Sequence, residues 1–362
     1  MAKFDDTRSY YRATAHAAPS HPQLEGEIKA DVAVLGAGYT GLSAALELAE
    51  AGLSVVIVEA ETVGFGASGR NGGQICTAFN KSMATIRNRF GEETARAAWD
   101  IADAAPKLVG ERIKKYGIDC DLKWGYMHAG EKTSHVEDLK ETQAEWDHYG
   151  YTGSKLLEGA DLRDKIGSER YKAALWEPGG GHVHPLNYCL GLAQAALKAG
   201  VKIYEHSRAI RLDTDDNPAI HTEKGVVRAD YMVLAGNAYL RETQPYLFRR
   251  LMPVGSYIIA TEPLGDNRAK GLISGDEAVA NCSLIVDYFR LSGDKRMLFG
   301  GRATYSGLEP NDLGGFVRPR MLHVFPQLED VKIEHVWGGY IGITVDRMPH
   351  VGRIGSRTYF SQ

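Results

Sequence analysis

Apolar and polar positions change their period twice between Asp31 and Glu59. DVAVLGAG, starting at Asp31, is an apolar run of strand length that closes in glycines. From Tyr39 to Ala51, Leu42, Ala45, Leu46 and Ala49 return at helical spacing, and Gly52 ends that helix. LSVVIVE follows, apolar throughout, as a strand covered on both faces requires. The pattern predicts strand, helix and parallel strand in close succession. Helical periodicity resumes over 81–150, with breaks at Gly117 and Gly125, and again over Leu186–Lys198. EPGGGHVHP (177–185) reads as a turn, 201–212 as a strand pair or bent strand, and 227–239 as a strand running into a small-residue turn. From Pro253 to Gly301 apolar and polar residues alternate, as in SYIIATEPL and RMLFGGRATY, which predicts antiparallel strands. One helix is expected over 316–328 and strands over 331–360. The two kinds of text interleave, so two intertwined domains are expected, preceded by a polar arm over 1–26 whose aromatics pin it to the body.

The most informative local feature is Gly36-Ala37-Gly38-Tyr39-Thr40-Gly41. It follows an apolar strand, opens a helix, and lies about 20 residues before Glu59, the acidic end of the next strand. In that context Gly36 permits a tight turn, Gly38 lets backbone approach a pyrophosphate, and Gly41 lets helix pack on strand. The helix N-terminus then offers N–H groups to phosphates, and Glu59 accepts from ribose hydroxyls. A glycine-rich loop, GASGRNGG (66–73), follows closely, with bare backbone to lie along a flat ring and Arg70 and Asn71 as polar handles. No second G-x-G-x-x-G occurs, so an organic substrate, rather than a nicotinamide nucleotide, is expected to reduce a bound flavin.

Composition narrows the partners. Lys+Arg minus Asp+Glu is 42 − 46 = −4, which leaves no basic excess for nucleic acid. Glycine, 41 of 362 residues, is in excess, as close backbone–ligand contacts require. No apolar run approaches the roughly 18 residues of a membrane span. The first 26 residues contain no signal-peptide core or twin arginine. Cys76, Cys120, Cys189 and Cys282 lie far apart without metal-ligand spacing, so reduced thiols, no metal and a cytoplasmic location are expected.

GAGYTGLSAALELAEAG with VEA, then GFGASGRNGGQ, resembles the D-amino-acid-oxidase-like flavoprotein superfamily. Within it the sequence most resembles gamma-glutamylputrescine oxidase and its relatives. GGGHVHPLNY, ADYMVLAGNAY and WGGYIGITVDRMPHVG agree, and the similarity runs along essentially the whole chain. The resemblance implies an α/β fold: a Rossmann-like FAD-binding domain with an intertwined α+β substrate domain whose mainly antiparallel sheet roofs the flavin. It places the FAD-binding domain on 27–83, 183–245 and 332–362, and the substrate domain on 84–182 and 246–331. Gly36, Gly38 and Gly41, with Tyr39 and Thr40, take the pyrophosphate role, and Glu59 with Ala60 the ribose role. Ala67, Ser68, Gly69, Arg70, Asn71, Gly72, Gly73 and Gln74 form the loop beside pyrophosphate and isoalloxazine. Ala209 faces the adenine, Ala235, Gly236 and Asn237 close over the nucleotide, and Gly338 and Gly339 return the substrate sheet to the flavin. Attachment is expected to be non-covalent, because Arg70 and Gly339 stand where relatives carry an attaching His or Cys.

The sequence departs from the pattern at two places. Amino-acid oxidases of the superfamily carry an Arg after W-x-G-x that clamps the substrate carboxylate; here Trp337-Gly338-Gly339-Tyr340 is followed by Ile341. An amine substrate is therefore expected, unless Arg302 or Arg290 supplies the cation. Relatives also continue past a strand like TYFSQ into a glycine-rich turn that helps hold flavin, whereas this sequence ends at Gln362; its grip on FAD is expected to be weaker without that turn. The implied reaction is hydride removal from a carbon bearing an amine, giving an imine and then an aldehyde, with reoxidation by oxygen or another acceptor. Tyr257, Arg302, Trp337, Tyr340 and His184 are the candidate pocket residues. The aromatics suit a cation–π cage, and His182 and His184 also serve as turn-stabilising histidines. No acid–base residue is identified. Two alternatives stand: a D-amino-acid or sarcosine/glycine-type oxidase or dehydrogenase, and a non-catalytic nucleotide-binding scaffold.

Overall fold

A computed structural model describes residues 7–362. Among these residues the strands form two sheets. The first is built around Gly26–Leu35, which runs parallel to Val55–Val58 on one side and Gly225–Leu234 on the other. Lys202–Tyr204 and Thr358–Ser361 extend it in parallel, and Val351–Ile354 closes one edge antiparallel. Val55–Val58 is buried at every position, as its unbroken apolar run requires. The helices Tyr39–Glu50 and Pro185–Lys198 pack against this sheet through Leu42, Ala45, Leu46, Leu192 and Ala196.

The second sheet takes the order Ile333–Thr344, Leu251–Thr261, Met297–Thr304, Tyr288–Leu291, Ala278–Asn281, Lys123–Gly130, Ala173–His182, Gln74–Ile75. It is antiparallel except where Ala278–Asn281 meets Lys123–Gly130. One face packs on the helix Leu313–Val324 through Tyr257, Ile259, Phe289, Phe299 and Tyr340. The other face carries Ile258, Leu298, Trp337 and Tyr288, and meets the first unit and the arm. The arm is short helix over Tyr10–Thr14, with Tyr10 and Tyr11 buried against the body; its residues 1–6 lie outside the described residues.

The α/β architecture with a mainly antiparallel second sheet matches the expectation, and three local expectations do not. Residues 123–130, read as part of a helical stretch, form a strand: left-handed Gly117 ends the helix Glu92–Tyr116, and the chain restarts as a strand that runs through Gly125. EPGGGHVHP is not a turn: through His182 it continues the strand Ala173–His182. Its glycines are required by close strand approach, since a Cβ on Gly181 would lie 2.2 Å from the Lys123 carbonyl oxygen. Gln74–Ile75 and Ile333–Thr344, grouped by sequence with the nucleotide unit, hydrogen-bond into the second sheet. They carry the chain between the two sheets, where the site lies.

Candidate active site

The first sheet opens at the carboxyl end of Gly26–Leu35, where its neighbours lie on opposite sides. Gly36 N–H donates to the Val58 carbonyl and Ala235 N–H to the Leu35 carbonyl, so three chain segments leave the sheet together. Gly36 sits at φ +101°, and a Cβ there would lie 2.7 Å from the Ala235 oxygen. A Cβ on Gly41 would lie 1.9 Å from the Gly36 oxygen. Only glycine lets the helix Tyr39–Glu50 begin this close to the strand. Its N-cap, Gly38, contributes no side-chain cap, which leaves the first turn's N–H groups to other partners. Ser68 takes one of them, its Oγ accepting from Tyr39 N–H at 3.0 Å. Thr40 is exposed at the same end.

Glu59 ends its strand with both carboxylate oxygens engaged. Oε2 accepts from Ala37 N–H at 2.8 Å and Oε1 from Glu61 N–H at 3.0 Å. Burial raises its pKa, partly offset by these backbone hydrogen bonds. A cleft of about 300 Å³ runs over this end of the sheet. Gly36, Gly38, Glu59, Ala60, Ala67, Ser68, Ala209, Ala235, Gly236 and Asn237 all line it. Phe65, Arg208, Tyr239, Arg241, Glu242 and Thr243 also line it, though no motif in the sequence marks them. A cleft walled by bare backbone, a helix N-terminus and one inward carboxylate fits the diphosphate and ribose of a dinucleotide. A larger surface cleft, about 540 Å³, lies among Glu50, Lys115, Asp119 and Lys198; neither glycine loop reaches it.

The second glycine loop is a compact turn that bonds to itself. Asn71 Nδ2 donates to the carbonyls of Ala67 and Ser68, and its Oδ1 accepts from Gly73 N–H. Arg70 Nε donates to the Phe65 carbonyl and Nη1 to the Gly338 carbonyl, with the guanidinium over the Phe65 ring. Both expected handles therefore turn back onto the backbone. Gly69 has no space for a Cβ against the Gly64 oxygen, nor has Gly73, at φ +76°, against the Val183 oxygen. Gly72 abuts the Tyr288 ring, and Gly339 abuts the Arg70 side chain. Gln74 Nε2 donates to the Val279 carbonyl, carrying the loop into the second sheet.

Arg290, considered in sequence as a substrate clamp, is a structural clamp. It is buried and donates to the carbonyls of Gly72, Val183 and Leu291 and to the Tyr11 hydroxyl. No carboxylate among the described residues pairs with it.

The five pocket candidates are not brought together. Tyr257 and Tyr340 point to the Leu313–Val324 side of the sheet, where the Tyr340 ring also meets Tyr239, a wall residue of the cleft. Their hydroxyls hold the 304–308 segment: Tyr257 bonds Thr304 Oγ1, and Tyr340 donates to the Gly307 carbonyl. Arg302 sits at φ +65° in a bulge between Gly301 and Ala303, exposed, with its guanidinium over Phe316. Trp337 points the right way but is sealed, stacking edge-on with Tyr11 and donating from Nε1 to the Arg70 carbonyl. His184 is a helix cap: Nδ1 accepts from Asn187 N–H, and Nε2 meets Thr14 Oγ1. Alternation along a strand fixes two faces but not which one meets the cofactor. The loop-facing side instead presents Tyr288, its hydroxyl bonded to Ser256, with Gly339 and Ile341.

His182 is likewise structural, donating from Nε2 to the Asp276 carbonyl. Burial, with Arg290 adding to it, holds both His182 and His184 down to about 3. Among the described residues no cluster of acidic, His or Cys side chains could hold a metal, the four cysteines are unpaired, and no helix is long and apolar enough to cross a membrane.

The comparisons agree with this geometry. The profile of the family described as FAD dependent oxidoreductase matches residues 31–361. Gamma-glutamylputrescine oxidoreductase of Escherichia coli is 39% identical over 99% of this chain and 84% of its own length. A probable oxidoreductase, OrdL, of Haemophilus influenzae is 39% identical over 99% of this chain and 83% of its own. Among solved structures, glycine oxidase from Geobacillus kaustophilus superposes with a TM-score of 0.75 at 22% identity, covering 92% of this chain and 89% of that one. The glycine cradle, the inward Glu59 and a match over nearly the whole chain lead to one assignment: this chain belongs to the FAD-dependent oxidoreductase family and is an FAD-dependent oxidoreductase.

Proposed function

We propose that the chain oxidises a primary amine of the gamma-glutamylputrescine type to an imine, which water converts to an aldehyde. The observation that carries this reading is Ile341. On the loop-facing side, the strand Ile333–Thr344 presents Trp337, Gly339 and Ile341 in turn, with no Arg or Lys among them. A carboxylate beside the reacting carbon would go without a bidentate partner there. The 39% identity to gamma-glutamylputrescine oxidoreductase supports the same choice of substrate.

In this reading the cradle at Gly36, Gly38 and Ser68, with Glu59, holds the dinucleotide, and the Ala67–Gln74 loop holds the ring. Bound FAD supplies a hydride acceptor. Gly72 leaves room for the Tyr288 ring and Gly339 for the Arg70 side chain, while Ser256, Tyr288 and Ile341 border the substrate. Attachment is non-covalent: neither Arg70 nor Gly339 offers a nucleophile, and acid precipitation should leave the flavin in solution. The chain acts in the cytoplasm on a small-molecule amine. The discontinuous division into a nucleotide unit and a substrate unit is kept, with Gln74–Ile75 and Ile333–Thr344 reassigned to the substrate sheet.

Anaerobic flavin reduction by gamma-glutamylputrescine, D-alanine and sarcosine, compared side by side, tests the reading. The first should be fastest, and Ile341→Arg should shift the preference toward the amino acids. Faster reduction of the unaltered chain by D-alanine or sarcosine would transfer the assignment to the amino-acid class.

A further inference from the structure

The EPGGG segment that looked like a turn begins with a buried carboxylate, Glu177. The register between Lys123–Gly130 and Ala173–His182 shifts there: Trp124 pairs with Gly181, but Tyr126 pairs with Glu177, so 178–180 bulge out of the ladder. Bare glycine gives the bulge its room, since a Cβ on Gly180 would lie 2.6 Å from Tyr126 Cβ and 2.9 Å from the Glu177 carboxyl carbon. Glu177 is fully buried, and among the described residues no Lys or Arg pairs with it. Its Oε1 lies 3.1 Å from His128 Nε2, and its Oε2 accepts from the Tyr151 hydroxyl at 3.3 Å.

With Nε2 of His128 donating to Glu177 Oε1, Nδ1 keeps a free lone pair. Nδ1 has no hydrogen-bond partner among the described residues, and the His128 side chain is 29% exposed. The pair lies on the loop-facing side of the sheet. Tyr126, against which the His128 ring packs, clusters with Ala278, Ala280 and Tyr288, and Tyr288 abuts Gly72 of the flavin loop. Tyr126, Tyr151 and Cys282 face the pair from the neighbouring segments, and burial raises the pKa of each, so all three stay protonated at neutral pH.

We propose that His128 is the base that accepts the substrate's ammonium proton, and that Glu177 is its positioning residue. The inference rests on the amine reading above. An alkylammonium of pKa near 10.4 is only about one part in a thousand neutral near pH 7.4, and a protonated amine is a poor hydride donor. At the dyad, R-CH₂-NH₃⁺ gives one proton to Nδ1, leaving R-CH₂-NH₂ and an imidazolium whose charge the buried Glu177 neutralises. The N–H bonding pair stays on the amine nitrogen, the Nδ1 lone pair forms the new N–H bond, and nothing is oxidised or reduced. The arrangement has the order of a general base held by a buried carboxylate.

The test uses the full chain loaded with FAD and compares it with His128→Gln and Glu177→Gln. Anaerobic bleaching by gamma-glutamylputrescine is followed across pH. His128→Gln should lose roughly 100-fold in rate at neutral pH, and its rate should climb tenfold per pH unit toward the amine's own pKa. Glu177→Gln should change in the same direction by less. A second readout needs no turnover. Calorimetric binding of tert-butylamine, which has no hydrogen on its amine-bearing carbon, should weaken roughly tenfold in both variants as the charge-assisted pairing is lost. If a variant does not take up FAD, Tyr151→Phe, which removes one hydroxyl behind Glu177, should shift the profile the same way by less. A variant with an unchanged pH profile and unchanged tert-butylamine affinity overturns the dyad while leaving the amine reading intact. An unaltered chain that no amine bleaches overturns the amine reading itself.

Discussion

In the proposed reading Glu59 combines a local and a ligand role in one carboxylate. Its two backbone bonds, to Ala37 and Glu61, fix the turn that the dinucleotide needs, and each oxygen keeps a second lone pair for a ribose hydroxyl. Glu59→Ala should weaken FAD binding by about 1–3 kcal/mol, the scale of a charged hydrogen bond, as read by flavin fluorescence titration. Unchanged affinity would remove Glu59 from the ribose. Gly41 is a different kind of requirement, because it touches no ligand. Gly41→Ala places a methyl 1.9 Å from a carbonyl oxygen, so the helix must lift from its strand. A loss of about 1–3 kcal/mol or more is expected from overpacking, together with lower FAD occupancy, and thermal unfolding with bound-flavin content measures both. Residues of this kind were legible because their function is set by neighbours in sequence. The glycine spacing, the following helix and the acidic strand end all fall within 30 residues.

Elements meet where sequence is least informative. The arm, the flavin loop and the helix Pro185–Lys198 converge on Arg290, which joins Tyr11, Gly72 and Val183 from three distant segments. Nothing near Arg290 in the sequence names those partners. Arg290→Met leaves their acceptors unmet, each at about 1–3 kcal/mol, and should lower thermal stability and release FAD together. The same junction makes stability depend on pH. Buried neutral His182 and His184 titrate near 3, against 6.5 for the ordinary imidazole. Between those values the unfolded chain binds protons that the native chain does not. Their contribution is fully present above pH 6.5 and is lost as pH falls toward 3. Denaturant midpoints should fall across that interval, and His184→Asn, which keeps a cap acceptor, should flatten the fall. A slope unchanged by His184→Asn would count against its neutral cap role.

At the scale of the whole molecule, in the proposed reading, one sheet holds the dinucleotide and the other roofs it. The first was readable because parallel strands buried on both faces leave long apolar runs, as in VVIV. The second was readable as strands but not as a surface. Tyr257 and Ser256 are adjacent in sequence, yet one reaches the outer helix and the other the loop side. Only the three-dimensional pairing says which face the glycine loop meets, and it puts Tyr257 on the opposite face and Arg302 in an exposed bulge. Glu177 and His128 were hidden for a related reason, since a bulge of glycines and a strand mistaken for helix bring them together.

The central claim is that this cradle binds FAD and that an amine reduces it. An absorbance spectrum of the purified chain from about 300 to 600 nm, repeated anaerobically with gamma-glutamylputrescine, tests both parts at once. Yellow flavin bands that bleach on adding the amine are the predicted result. Flavin bands that persist with the amine, or a protein that stays colourless when FAD is added, would contradict it.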